Sequence, residues 1–334
     1  MVDRRPVVVC VGLATLDVIG RVDRLPGTDE RVVADAATTG VGGGAAIAAV
    51  ALARLGVPVA FVGRVGDDDA GRRIQGELAA EGVDVRALRT AGRETPFSIV
   101  LVEAGTGARS IVPWRGDLGA LDLDAVAIEL CADAAWVHSD HVGFAGVRGL
   151  RRDGANPRLS LDAGNPIADL RLDAVDLFAP TEAALLARQP GLALEDALLA
   201  TLNEGPSVVV ATRGAKGSAG AIREPNGAAR IVFAPVASGP TAPIVSTLGA
   251  GDVFHGALLA ALVDGRDLAA AMQFANVAAA LSCRALDGRS AIPTRVELEA
   301  HLEAALERGG AAADLEPTAG AATAAGRTAT NARG

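Results

Sequence analysis

Ser246-Thr247-Leu248-Gly249-Ala250-Gly251-Asp252-Val253-Phe254-His255-Gly256 is the stretch whose reading decides this chain. A polar, β-prone lead enters three residues with almost no side chain, and one aspartate then opens an apolar run (Val253, Phe254, Ala257, Leu258, Leu259, Ala261, Leu262) spaced as a helix. Backbone N–H groups at Gly249, Ala250 and Gly251 can approach a ligand closely. A helix N-terminus adds unpaired donors and partial positive charge, which suits a phosphate. A carboxylate at Asp252 would face the same anion. The combination reads as phosphoryl transfer; taken alone, Asp252 reads equally well as the cap of a helix behind a glycine turn.

Working outward, short β-branched runs alternate with helical segments. Residues 7–13, 58–63, 135–138, 158–162, 175–178 and 207–211 read as strands, and 45–55, 70–81 and 269–281 as helices. Such alternation predicts a parallel sheet covered on both faces. Two polar hairpin-like segments, 18–33 and 95–112, break the rhythm. Asp67-Asp68-Asp69 stands at a helix start, where capping explains it more simply than a metal. From 309 to 334 the chain is Ala, Gly and Thr without periodicity and is expected to be a disordered tail behind one domain of residues 1–308.

The chain has 334 residues and a formal charge of −9, which argues against a nucleic-acid partner. Three scattered cysteines in apolar settings read as buried thiols of a reducing compartment, and no apolar run reaches membrane-spanning length, so a cytoplasmic location is expected. A Walker loop is excluded, because Lys216, the only lysine, follows Ala215. Gly40-Val41-Gly42-Gly43-Gly44-Ala45 fits a dinucleotide fingerprint in letters, but residues 35–39 make a poor buried strand and the acidic partner is missing.

The Ser246–Gly256 stretch resembles the C-terminal signature of the ribokinase/PfkB family of sugar and nucleoside kinases. Val41-Gly42-Gly43-Gly44-Ala45-Ala46, Ala53-Arg54-Leu55-Gly56 and Gly63-Arg64-Val65-Gly66-Asp67-Asp68-Asp69-Ala70-Gly71 supply its N-terminal counterpart, over roughly residues 7 to 300. Within the family, these segments are most similar to sulfofructose kinases and ketohexokinase-like enzymes. The resemblance implies an α/β fold, a three-layer α/β/α sandwich with a mainly parallel central sheet and a small β-sheet lid made by 18–33 and 95–112. It implies ATP- and Mg²⁺-dependent phosphorylation of a hydroxymethyl group on a small sugar, leaning to a ketose or sulfoketose. A nucleoside kinase of the same fold and a non-catalytic sugar-binding regulator are the alternatives.

Carried over residue by residue, Asp252 is the base and Gly249, Ala250 and Gly251 hold the transferring phosphoryl group. Asp17, Gly42, Gly43, Gly44, Arg109, His138 and Asp140 face the sugar. Ala211-Thr212-Arg213-Gly214-Ala215-Lys216-Gly217 resembles the family's nucleotide loop, so Thr212, Gly214, Lys216 and Gly217 join Thr247 and Asn276 as ATP contacts. Glu182 is expected to act on Mg²⁺ through water. His138, Asp140 and His141 invite a metal, but their adjacency makes poor tetrahedral geometry. His255 reads as a satisfied structural histidine. Three positions depart from the family: Ser246 for Asp, Ile47 for Asn and Ala179 for Asn. Relatives also hold K⁺ with carbonyls near the cradle and in a later loop, here 283–292; Ser246 in place of the carboxylate implies weak K⁺ binding or none. A homodimer joined through the lids is expected.

Overall fold

The computed structural model describes residues 6–92, 94–150, 157–236 and 243–313. β1 (Val8–Val11) ends before Gly12, and the chain turns outward into β2 (Thr15–Val22) and β3 (Ala36–Gly42) before α1 (Gly44–Arg54) returns it. β4 (Val59–Val65), α2 (Asp69–Ala80) and β5 (Asp84–Thr90) follow. A second excursion, β6 (Phe97–Glu103) and β7 (Arg109–Trp114), precedes α3 (Ala125–Asp133), β8 (Trp136–Ser139), α4 (Phe144–Val147) and β9 (Arg158–Asp162). The remainder runs through β10 (Leu177–Ala179), α5 (Glu182–Arg188), α6 (Leu194–Leu202), β11 (Val208–Thr212), β12 (Ser218–Arg223) and β13 (Ala229–Ala234). The helices α7 (Ala250–Val263), α8 (Leu268–Ser282) and α9 (Arg295–Ala313) complete it.

Among the described residues, nine strands form one sheet in the order β13-β12-β11-β10-β9-β8-β1-β4-β5. All pairs from β11 to β5 are parallel, and only β12 and β13 run antiparallel at one edge. Alternation within the buried strands divides the core. Val8 and Cys10 face the layer of α1, α2, α7, α8 and α9, while Val9 and Val11 face α3 to α6. This is the three-layer sandwich expected from the strand–helix rhythm.

The two outward excursions pair into a separate four-stranded sheet, β3-β2-β6-β7, antiparallel except for β2 on β6. Residues 36–39, part of the segment read from sequence as a poor buried strand, form its exposed edge. They alternate half-buried and exposed, and so never needed the continuous apolar run of a core strand. The lid is therefore wider than 18–33 and 95–112. At the other terminus α9 runs to Ala313, past the domain boundary set at 308; residues 314–334 of the expected tail lie outside the described residues.

Two features bring the site together. Asp68 caps α2, accepting from Gly71 N at 2.8 Å and from Thr95 N at 2.8 Å, so the acidic triplet serves capping and anchors the start of the second lid segment. Small residues let α1 and α7 cross closely: a Cβ at Gly256 would lie 2.6 Å from Ala48 O and 2.8 Å from Ala51 Cβ. That crossing sets the N-termini of both helices side by side. No helix among the described residues is long and apolar enough to cross a membrane.

Candidate active site

Between the lid and the carboxyl ends of the parallel strands lies a cleft of about 830 Å³. Asp162 at the end of β9, Asp140 beyond β8 and Thr212 at the end of β11 all reach it, as expected where ligands bind open α/β sheets. Its floor is the start of α7. Gly249 adopts φ 73°, a left-handed conformation that an L side chain resists, and its Cβ position would lie 2.9 Å from Gly288 Cα. Gly249 and Gly251 line the cleft, and nothing lies within 4 Å of the Gly251 Cβ position. The Ala250 amide, assigned to the anion cradle from sequence, is instead turned back onto the Thr247 carbonyl at 3.3 Å.

Asp252 lies in the first turn of α7 and lines the cleft. Burial pushes its carboxyl up to about 7, Asp162 and Asp140 add to the rise, and His255 and Arg109 oppose it. Opposite stands the start of α1. A Cβ on Gly44 would lie 3.1 Å from Asp252 Oδ1 and 3.6 Å from Asp162 Oδ2, so glycine alone leaves room for these carboxylates. A Cβ on Gly42 would lie 2.1 Å from Asp17 Oδ2. Asp17 is buried at the lid–cleft junction and accepts from Thr15 Oγ1 at 2.9 Å. Burial raises its carboxyl while Thr15 and Ser98 work against that rise. Ile47, where the family has Asn, lines the cleft and presents hydrocarbon there.

Two sugar-side assignments need correction. Asp140 lines the cleft but is saturated: it accepts from Leu13 N (2.8 Å), Ala45 N (3.2 Å), Val142 N (2.8 Å) and Gly143 N (3.0 Å). It ties the β1–β2 turn to the start of α1 and acts as a brace. His138 does not reach the cleft. It is fully buried, its Nδ1 lies 3.1 Å from Ser160 Oγ, and its ring packs on His255 at 5.5 Å between centroids. Burial lowers its imidazole to about 3.

The sequence reading passed over Asp162 and gave His255 only a structural role. His255 Nε2 lies 3.3 Å from Asp162 Oδ1, and Asp162 also accepts from Gly164 N at 2.7 Å. Burial works against ionising Asp162, yet the His255 charge and hydrogen bond hold it below the ordinary carboxylate range. Both residues line the cleft. The signals were present: Asp162 ends a parallel strand, and His255 stands one helical turn beyond Asp252.

At the nucleotide end, Thr181 and Thr212 bridge β11 to the start of α5, and both line the cleft. Gly214, Lys216 and Gly217 form the short turn beyond and lie outside the cleft lining, as does Glu182, whose carboxylate faces Arg213 at 3.5 Å. Asn276 is not at the cleft either: it is buried and donates to Ala234 O at 2.8 Å, joining α8 to β13. Thr247 is engaged with the lid. Its N–H and Oγ1 both donate to Gly107 O, at 2.9 and 3.0 Å, and Arg109 Nη1 lies 3.1 Å from Thr247 Oγ1. The lid turn thus rests directly on the lead into the cradle, and Arg109 lines the cleft. The exposed Arg115 also lines the cleft.

The sequence and the fold have known counterparts. The pattern of the pfkB family carbohydrate kinases matches residues 6–295, and the chain belongs to that family. A ribokinase from Bacillus subtilis (strain 168) is 31% identical over 317 residues, covering 87% of this chain and 98% of its own. An ATP-dependent ribose-1-phosphate kinase from Halopiger xanaduensis is 30% identical, covering 88% of this chain and 97% of its own. The structure of Arabidopsis thaliana ribokinase complexed with ribose and ATP superposes with a TM-score of 0.74 at 26% identity, covering 90% and 99% of the two chains. The fold is ribokinase-like, and the protein is an ATP-dependent sugar or nucleoside kinase, a phosphotransferase.

Proposed function

We propose that this kinase phosphorylates a hydroxymethyl group of a small sugar seated between Asp17 and Asp252. The observation that carries the proposal is the convergence of two helix N-termini, at Gly44 and Gly249, on Asp252 within one lidded cleft. Asp17 accepts hydrogen bonds from sugar hydroxyls and orients the acceptor. Asp252 takes the proton of the attacking hydroxyl; a carboxylate whose pKa is about 7 is a better-matched base than an exposed one. Donors at Gly249 and Gly251, with Arg109, stabilise negative charge as it shifts. The lid excludes water from the reacting groups.

ATP supplies the phosphoryl group, and the open space above Gly251 and the Thr181–Thr212 edge fit a nucleotide. Mg²⁺ suits a site where the nucleotide provides most ligands; Glu182, paired with Arg213, would reach it through water. Among the described residues no cluster of three or more acidic, His or Cys side chains is placed to hold a metal by itself. Three buried thiols, Cys10, Cys131 and Cys283, support a cytoplasmic location.

The relatives named ribokinase put ribose first on the test panel, ahead of the ketose and sulfoketose suggested by the loop resemblance. Nucleosides form a further arm, since proteins of the same fold include kinases of nucleosides. ADP release across pentoses, ketohexoses, sulfosugars, ribose 1-phosphate and nucleosides is expected to single out one sugar. Acceleration by nucleosides alone, or by nothing on the panel, would reject the sugar reading.

K⁺ is expected to bind this chain weakly or not at all. Ser246 Oγ is buried and accepts from Leu248 N at 3.1 Å, and Cys283 O already accepts from Val245 N and Ser246 N at 2.8 and 3.2 Å. Arg54 Nη1 takes the carbonyls of Arg289, Ser290 and Ile292 at 3.1, 3.2 and 2.8 Å. We expect K⁺ to raise initial rates by no more than about tenfold over a bulky organic cation at matched ionic strength, a barrier change of ~1.4 kcal/mol. Larger activation would show that loop carbonyls assemble an ion site without the carboxylate.

A second copy of the chain is the proposed partner, joined lid to lid. Val18, Ile99 and Val112 form one cross-strand row on the outer lid face, beside the Phe97–Trp114 pair, and Val112 is 65% exposed. A self-complementary apolar sheet face is covered most simply by a two-fold copy. Light scattering at micromolar concentration should give the dimer mass, and Val112→Glu should give the monomer. A monomer mass for the unaltered protein would end this reading.

A further inference from the structure

We infer that His255 is a positioning residue, supplying a buried positive charge that offsets the Asp162–Asp252 carboxylate pair and keeps Asp252 free to accept a proton. This rests on Asp252 as the base. Within α7, His255 is one turn beyond Asp252, so their side chains share a helix face. Its Nε2 is fixed by Asp162 at 3.3 Å, across the gap between α7 and the end of β9. Gly44 marks how crowded the carboxylates are, with Asp252 Oδ1 and Asp162 Oδ2 both within 3.6 Å of one Cβ position. Two half-buried carboxylates this close repel each other, and a buried cation beside them offsets that repulsion.

Each packed element contributes a charge to the account. β8 brings His138, which burial keeps neutral, so it cannot serve as the cation. Asp140, beyond β8, adds negative charge, although its oxygens are met by backbone amides. β7 brings Arg109, whose guanidinium is exposed and bonded to Thr247, so solvent screens it. β9 brings Asp162, and α7 itself brings Asp252. Burial disfavours a charged His255, yet the charge of Asp162, its hydrogen bond and Asp252 outweigh that and hold the imidazole above its ordinary value. Among the described cations near Asp252, only His255 is buried, while Asp252 itself is half-buried at the cleft wall.

The closing experiment reads titration directly. The imidazole ¹⁵N signals of the four histidines, with His255 assigned by its loss in H255Q, should show His255 as imidazolium at pH 7. The carboxyl ¹³C signal of Asp252, assigned by its loss in D252N, should titrate higher in H255Q by roughly one to two pH units, as expected for unit charges about 6 Å apart at intermediate dielectric. The acid limb of kcat should move with it, lowering kcat about tenfold per unit on the acid side. In D162N/H255Q one negative and one positive charge are gone together, so both midpoints should return toward the unaltered values. A merely structural histidine would give no such return.

An Asp252 midpoint unmoved in H255Q, or moved and not recovered in the double variant, overturns the inference. If H255Q fails to fold, His255 is assigned instead by sequential correlation to Phe254 and Gly256, and a neutral imidazole there at pH 7 in the unaltered protein overturns the inference alone. Failure of the kinase reading shows up separately, as no acceptor accelerating ADP release, while the titrations still decide the charge on His255.

Discussion

Asp252→Asn should lower kcat by roughly 10²–10⁴ while nucleotide binding persists, the range typical for removal of a general base. The amide fits the space of the carboxylate in the first turn of α7 and cannot take the hydroxyl proton. What remains is orientation by Asp17 and the donors at Gly249 and Gly251, which is why the loss is bounded. Stability should change in the opposite sense. The Asp252 carboxyl is raised to about 7 in the folded chain, so folding binds a proton there that the unfolded chain releases near pH 4. Unaltered protein therefore loses stability as pH rises from about 4 to about 7. The Asn variant should melt higher at pH 8, with the difference closing below pH 4. Near-native turnover by the variant on the acceptor found in the panel would remove Asp252 as the base.

The parts legible from sequence share a physical property: their local chemistry and tertiary role agree. Strands such as Val8–Val11 are short, apolar and buried on both faces, and small residues before Asp252 are required by the backbone approach itself. The parts missed are those whose role is assigned by neighbours far away in sequence. β12 reads Ser-Ala-Gly-Ala and has no β-branched signal until Ile222. It is a strand because Gly220 fits against Val209 O and Met272 Sδ, where a Cβ would come within 3.0 and 3.1 Å. His138 and Asp140 were placed at the correct strand end, but sequence does not say which way a buried side chain turns. His138 points under α7, and Asp140 is consumed by four amides. Asp162 and His255 become a pair only when β9 and α7 meet. Asn276 illustrates the same limit, since a helix-surface asparagine and one bonded to Ala234 O look alike in the chain.

Gly43→Ala should be the most damaging glycine substitution at the site. Gly43 precedes α1 with φ 97° and ψ 129°, a region in which an L side chain is strained by roughly 1–3 kcal/mol. Space adds to the strain: a Cβ would lie 2.3 Å from Leu13 O, 2.7 Å from Leu13 C and 2.9 Å from Ala14 Cα. These are backbone atoms, and Leu13 N is held by Asp140 Oδ2 at 2.8 Å, so the turn cannot move aside without breaking the brace that also holds Ala45 N. Relaxation must shift the start of α1, where Gly44 adjoins Asp252 and Gly42 adjoins Asp17. A displacement of about 1 Å at reacting groups typically lowers the rate ~10²-fold, so kcat/KM should fall by about that factor. The melting temperature should drop by several degrees, on the scale of about 2–4 °C per kcal/mol for a chain of this size. Gly76→Ala is the matched control: Gly76 lies inside α2 with nothing within 4 Å of its Cβ position, so alanine there should be neutral or stabilise by about 0.5–1 kcal/mol. If both variants behave alike, the close approach at Leu13 does not shape the site; separation of the two in both melting temperature and kcat/KM is the expected result.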